Sequence, residues 1–301
     1  MSTTKLTTGQ ILVTGASGEL GKLTLHHLIH TVKINPKQIV AGSRSPDKLK
    51  EFADQGVQVR FVDFADPASI GAAAQGVERA MLISARDFDG GESHKTAVRE
   101  FIKAGVQHIL YTSVQAVDRS VAMIATIHRA TEIFIEESEI PGYTLLRNGM
   151  YYENNFPLIS IALKNGGKWL TAAKDGKISM VSRDDTARSG AYALARDVKE
   201  RKIYEITGPE LLSIDEIVAQ VSEAVEQPLE VAQVSEDELV KGIAVGLGLP
   251  EFVGQIYASI DKNTAAGLAE EVTDHYKQLT GVDPITHRTW AQKDMAILKA
   301  L

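Results

Sequence analysis

Three glycines recur at a three-residue interval in Ile11-Leu12-Val13-Thr14-Gly15-Ala16-Ser17-Gly18-Glu19-Leu20-Gly21, where a β-branched apolar run gives way to helical periodicity. The first turn of a helix leaves its N–H groups unpaired at the positive end of the helix dipole, so such a junction can hold an anion. Gly15 suits the tight strand-to-helix turn, Gly18 lets backbone amides approach a pyrophosphate, and Gly21 lets the helix lie close on a sheet. Dinucleotide binding is the chemistry this pattern points to, with a purely structural glycine turn as the alternative. The spacing is GxxGxxG rather than GxGxxG, so the strand before it and the helix expected at 19–31 behind it carry much of the inference.

The elements that must position such a turn alternate through the first half of the chain. Strand-like runs at 10–14, 38–41, 58–62, 79–83, 108–112 and 143–146 are separated by amphipathic stretches such as 46–55, 69–75 and 95–104. This alternation predicts an α/β fold, a Rossmann-type doubly wound parallel sheet. Residues 1–150 would form the nucleotide-binding domain; residues 151–301 would form mainly a smaller C-terminal α/β substrate lobe, with some segments returning to the first domain. Ligands sit at the carboxyl ends of such strands, which singles out residues 15–20, 42–44, 63–64, 84–86, 113–115 and 147–152. After the second strand, Arg44 stands where an acid would otherwise accept hydrogen bonds from the adenosine ribose. Its guanidinium fits a 2′-phosphate and favours NADP over NAD, a solvated surface arginine being the plainer alternative. Asp63, after the third strand, either touches an adenine or caps the turn into Pro67.

Composition narrows the class. The 301 residues suffice for one large or two modest domains, and no apolar run approaches the length of a membrane span. Cysteine is absent, which removes disulfides, thiolate catalysis and zinc-thiolate sites, and no histidine grouping forms a metal-ligand set. A net charge of -7 weighs against nucleic-acid binding. Residues 1–5 carry no signal-peptide core, so a cytoplasmic protein is expected. The partner expected is a small planar or conjugated substrate; a homo-oligomer is left open.

Across nearly its whole length the chain resembles the NmrA-like group of atypical short-chain dehydrogenase/reductases, and within it the type-2 NAD(P)H:quinone oxidoreductases and triphenylmethane reductases. The resemblance rests on residues 13–21, on 39–46 with Arg44, and on Leu82-Ile83-Ser84, Tyr111-Thr112-Ser113, His128-Arg129-Ala130-Thr131-Glu132 and Tyr143 through Tyr151. It implies a Rossmann domain holding NADPH/NADP and a smaller lobe over the nicotinamide end. It further implies cofactor contacts from Gly15, Ala16, Ser17, Gly18, Glu19, Leu20, Arg44, Ser84 and Asn148, with Tyr151 near the substrate. Arg183, in Ser182-Arg183-Asp184-Asp185, matches another position that approaches the cofactor in such proteins.

Most short-chain dehydrogenases carry Tyr-x-x-x-Lys, whose lysine lowers the tyrosine pKa so that it protonates an alkoxide. Here His128 and Glu132 occupy that spacing, on one face of a helix. They read either as a proton-relaying catalytic pair or as a structural or partly exposed ion pair. Hydride addition to a quinone leaves a phenolate-like oxygen whose conjugate acid has a pKa of about 10, far less basic than an alkoxide. A missing dyad therefore costs a quinone reductase less than an alcohol dehydrogenase. The expected function is an NADPH-dependent oxidoreductase acting on a quinone or similar conjugated acceptor, the alternative being a non-catalytic NmrA-like redox sensor. Beyond Tyr151, a strand is expected at 202–207, a helix capped by Ser213 and Glu216 through Val225, an extended run at 228–234, and helices at 236–245, 251–261 and 286–301. Phe252, Ile256, Tyr257 and Ile260 read as cleft lining or ordinary core, and the aromatic run from Tyr151 and Tyr152 to Phe156 as a stacking surface for a planar substrate.

Overall fold

A computed structural model describes residues 6–85, 90–196 and 200–300. Seven parallel strands form the central sheet: β1 (Gln10–Val13), β2 (Ile39–Ser43), β3 (Gln58–Phe61), β4 (Val77–Leu82), β5 (His108–Val114), β6 (Gly142–Asn148) and β7 (Arg201–Ile206). Their order across the sheet is β7-β6-β5-β4-β1-β2-β3. The chain moves outward from β1 to β3, then crosses to β4 and moves outward on the other side, so a crevice opens between the carboxyl ends of β1 and β4. Register holds those ends level: Val13 lies opposite both Ala41 and Met81, Leu82 opposite Tyr111, and Asn148 opposite both Val114 and Ile206.

Both faces of the sheet are covered, and the strands are apolar on both sides for that reason. Ile11, Val13, Leu110 and Leu146 point to one core, with Leu25 and Leu28 from the first helix and Leu194 from the Arg183–Ala195 helix. Their neighbours Leu12, Ile109, Tyr111 and Leu145 point to the other core, with Phe101 and Ile135. The latter half of the chain returns to this sheet through the Arg183–Ala195 helix and β7. A second body is built around Tyr152, Trp169, Ile178, Met180, Ile217, Val221 and Trp290. Ile161, Leu239, Ile243 and Ala258 form a further cluster beside it.

Local chemistry explains most element ends, including those that depart from expectation. Ser213 caps the Ile214–Val225 helix with a full capping box to Glu216, and Ser235 with Glu238 does the same for the Glu236–Leu247 helix. The run expected as one helix at 19–31 is α-helical only over Glu19–His26; His27–Thr31 is a π-turn in which Val32 N–H donates to His27 O. The expected helix at 286–301 breaks at Asp294 into His287–Lys293 and Met295–Leu298. The stretch at 46–55 is a 3-10 turn, Pro46–Leu49, followed by a single α-turn, Lys50–Ala53.

The Glu19–His26 helix lies so close on the strand end that a Cβ on Gly21 would meet Gly15 O and sit 2.7 Å from Ala16 Cα, both immovable backbone. Gly21→Ala is therefore expected to destabilise the fold by about 1–3 kcal/mol, the usual range for overpacking. A urea midpoint unchanged from that of the parent would contradict this packing.

Candidate active site

The turn after β1 is fixed by backbone pairing. Thr14 N–H donates to Met81 O at 3.0 Å and its hydroxyl to the same oxygen at 2.9 Å, while that hydroxyl accepts from Ile83 N–H at 3.2 Å. Gly15 then takes φ of 60°, Ala16 N–H donates to Gly42 O, and Gly18 N–H donates to Gly15 O. No side chain caps the helix at Gly18. Among the described residues, the N–H groups of Ser17, Glu19 and Leu20 have no protein partner, and Gly15, Gly18 and Glu19 are exposed. The result is an open anion cradle at the positive end of a helix. Ser17 Oγ meets Ser43 Oγ at 2.7 Å, and Ser43 Oγ accepts from Ser45 N–H at 2.9 Å. This ties the cradle to the end of β2, where Arg44 stands exposed and makes no ion pair among the described residues. Asp63 forms a turn instead, its carboxylate accepting from Ala65 N–H at 3.1 Å.

The ends of β4 and β5 are pinned by side chains. Ser84 N–H donates to Thr112 Oγ1 at 2.8 Å and Ala85 N–H to His94 Nε2 at 2.9 Å. Arg86 lies outside the described residues. At the end of β6, Asn148 is buried, donates from Nδ2 to Tyr151 Oη at 3.2 Å, and leaves Oδ1 without a partner. Burial pushes the Tyr151 hydroxyl up to about 12, against the pull of the Arg183 guanidinium 5.4 Å from its ring. Arg183 begins its helix with its own N–H held by the Glu153 carboxylate. Asn148, Tyr151 and Arg183 thus form one group. Tyr152 and Phe156 do not join it: both pack on Trp290 in the second body, so the aromatic run is divided between site and core. Of the C-terminal residues expected at a cleft, Tyr257 and Ile260 line a small hollow with Met150, Met180 and Trp169, whereas Phe252 is exposed. Among the described residues no group of three or more ligands could hold a metal, and no helix is long and apolar enough to cross a membrane.

The NmrA-like family model matches residues 7–287. The chain belongs to the NmrA-like family. It is 33% identical to quinone oxidoreductase 2 of Escherichia coli over 258 residues, which is 85% of this chain and 88% of that protein. The structure of that NADPH-dependent quinone oxidoreductase complexed with NADPH matches with a TM-score of 0.88 and 31% identity, over 94% of this chain and 99% of that one. The Citrobacter triphenylmethane reductase complexed with NADP(H) matches with a TM-score of 0.84 and 31% identity, over 95% and 100% of the two chains. An NAD(P)H azoreductase of Xenophilus azovorans is 25% identical over 87% of this chain and 91% of its own length.

In this NmrA-like protein the expected His128–Glu132 pair does not form. Glu132 is fully buried and bound by Arg147, with Nε at 3.0 Å and Nη2 at 2.7 Å from its two oxygens. His128 Nδ1 instead meets Tyr111 Oη at 2.8 Å. β6 brings Arg147 across the helix at Glu132, and a bidentate guanidinium outcompetes a neutral imidazole for a buried carboxylate. Arg147 also meets Asp118 at 2.7 Å and Glu205 at 3.3 Å, and Arg129 meets Asp118, Glu132 and Glu136. Four carboxylates thus face two guanidiniums. Burial pushes the Glu205 carboxyl from 4.5 to about 7, against the pull of Arg147 and of the Ala116 N–H.

Between those two values the folded chain keeps a proton that the unfolded chain releases, so raising pH through this window lowers stability. Glu205→Gln is expected to flatten the decline in unfolding free energy from pH 5 to pH 7. Parallel wild-type and variant curves would remove Glu205 as the titrating group.

Proposed function

We propose that the protein is an NADPH-dependent oxidoreductase that delivers hydride to a quinone or a similarly conjugated electrophilic acceptor. The observation that carries this reading is one polar arc at the carboxyl ends of β1, β2, β4 and β6, in a chain whose similar relatives include NADPH-bound reductases. The residues present fit the dinucleotide. The N–H groups of Ser17, Glu19 and Leu20 supply an anion cradle, with Gly15, Ala16 and Gly18 shaping it. Arg44 offers a free guanidinium beside it, and the unsatisfied buried Asn148 Oδ1 calls for a donor from a bound group. Ser84 stands at the end of β4, and Arg183 lies over the Tyr151 ring.

When bound, NADPH supplies a hydride from its nicotinamide ring. The protein's part is to orient and to donate hydrogen bonds. Tyr151 accepts from Asn148 and stays protonated at neutral pH, so its own hydroxyl proton is available to a substrate oxygen. A group held near 12 is a poor proton source but a sound hydrogen-bond donor. This suits an acceptor whose reduced oxygen is phenolate-like, with a conjugate acid of about 10, and takes its proton from water. No Tyr-x-x-x-Lys is required for that acceptor class.

Purified protein is expected to oxidise NADPH with simple quinones, and Arg44→Ala to weaken NADPH far more than NADH. A charge-assisted contact of about 1.5–3 kcal/mol corresponds to a fall in preference on the order of tenfold to a hundredfold. The ratio of the two dissociation constants, taken at fixed ionic strength, checks it; an unchanged ratio in folded Arg44→Ala leaves Arg44 to solvent. Tight binding of both cofactor forms with no reduction across a broad acceptor panel would overturn the enzyme reading in favour of a redox sensor.

A further inference from the structure

A chain of side chains runs from the end of β4 into the helix Met123–Glu136, and a backbone amide fixes the tautomer of its first histidine. Ala85 N–H can only donate, so His94 Nε2, 2.9 Å away, accepts and carries no proton. The His94 proton therefore sits on Nδ1, which lies 3.2 Å from Thr131 Oγ1 and 3.4 Å from Tyr111 Oη. Thr131 spends its own proton on Ile127 O at 3.0 Å. With His94 donating into this pair of oxygens, the shortest contact open to the Tyr111 hydroxyl proton is His128 Nδ1 at 2.8 Å. His128 Nδ1 is thereby an acceptor, and the neutral ring carries its proton on Nε2.

Two observations place that proton for use. His128 is partly exposed, and its Nε2 is absent from the buried unpartnered atoms while making no protein hydrogen bond among the described residues. The same chain begins at Ala85, next to Ser84 at the strand end that borders the crevice between β1 and β4. Resting on the oxidoreductase reading above, we propose that His128 is a catalytic hydrogen-bond donor: its neutral imidazole presents Nε2–H to the acceptor carbonyl oxygen that becomes anionic as hydride arrives. Tyr111 and His94 are positioning residues that hold this tautomer. The acceptor gains two electrons and one hydrogen as hydride from the reduced nicotinamide; its oxygen takes the matching proton from water, and His128 begins and ends the step neutral. A neutral donor suits this task, since it can stabilise the developing charge without a proton to lose at each turnover. Burial holds the His128 ring down to about 3, so it remains neutral through the physiological range.

Nitrogen-15 NMR of the histidine-labelled protein without cofactor tests the tautomer directly. The His128 signal is expected to show protonated Nε2 and bare Nδ1 from pH 5 to pH 8; imidazolium, or a proton on Nδ1, at pH 7 overturns the assignment. The second arm uses quinones of graded product acidity. His128→Leu is expected to lower kcat by about tenfold to a hundredfold for the most basic product oxygens and less for the most acidic, with NADPH affinity unchanged. His128→Gln, whose amide places an N–H near the Nε2 position, restores most of the loss. A His128→Leu deficit equal for all acceptors, or His128→Gln as impaired as His128→Leu, assigns His128 to structure alone. Wild-type turnover with quinones reports separately on the oxidoreductase reading.

Discussion

The contact between the backbone of Gly21 and the turn at Gly15 and Ala16 decides where everything else in the crevice can lie. Only a residue without a Cβ lets the Glu19–His26 helix settle there. That closeness aims the helix's unpaired first-turn N–H groups across the carboxyl edge of the sheet rather than away from it. Thr14 completes the junction by bridging β1 to β4 through Met81 O and Ile83 N–H, which opens the crevice at the point where strand order reverses. A sheet with apolar residues on both faces is the platform, and the polar groups named for the site stand at the carboxyl ends of its strands.

Beyond the cradle, two kinds of electrostatics divide the ends of β5 and β6. On one side, Arg147 and Arg129 gather four carboxylates into a partly buried ionic cluster that reaches Ala116 N–H through Glu205. Such a cluster specifies geometry more than it adds stability, because desolvation offsets much of the attraction. Ala116, held in that way, adopts a φ of 51° that a non-glycine residue rarely takes. On the other side, His94, Tyr111 and His128 form a chain in which burial keeps Tyr111 and His128 uncharged. The ionic cluster is thus separate from Tyr151 and His128, which stay uncharged at neutral pH.

The doubly wound parallel sheet and the glycine turn were legible because they depend on local pattern: a continuous apolar run ending in a glycine reads the same in isolation as in the fold. The Ser213–Glu216 cap was legible for the same reason, its partners lying three residues apart. Glu132 was not. Its spacing from His128 is a true helical neighbour relation, but its partner arrives from β6, fifteen residues on, and a guanidinium displaces the imidazole. Likewise His94 and Tyr111 gave no signal as a pair, since Ala85, His94, Tyr111 and His128 meet only when β4, β5 and two helices are assembled. Tyr152 and Phe156 looked like a binding surface because aromatic residues suit both a planar ligand and a core, and only packing on Trp290 separates the two. The break at Asp294 and the π-turn at His27–Thr31 leave no mark in the apolar periodicity of their segments.

On the proposed reading, the site orients two reactants and donates hydrogen bonds, without a dedicated proton-transferring acid. Such a site suits hydride transfer to an acceptor that is already electrophilic. The most direct test follows the transferred atom: NADPH deuterated at the reacting nicotinamide carbon, mixed with the protein and a quinone in a single turnover. The account predicts that the label leaves the cofactor from one face only, with a primary isotope effect on the reduction. Full retention of the label in tightly bound cofactor, with the quinone unchanged, would contradict it.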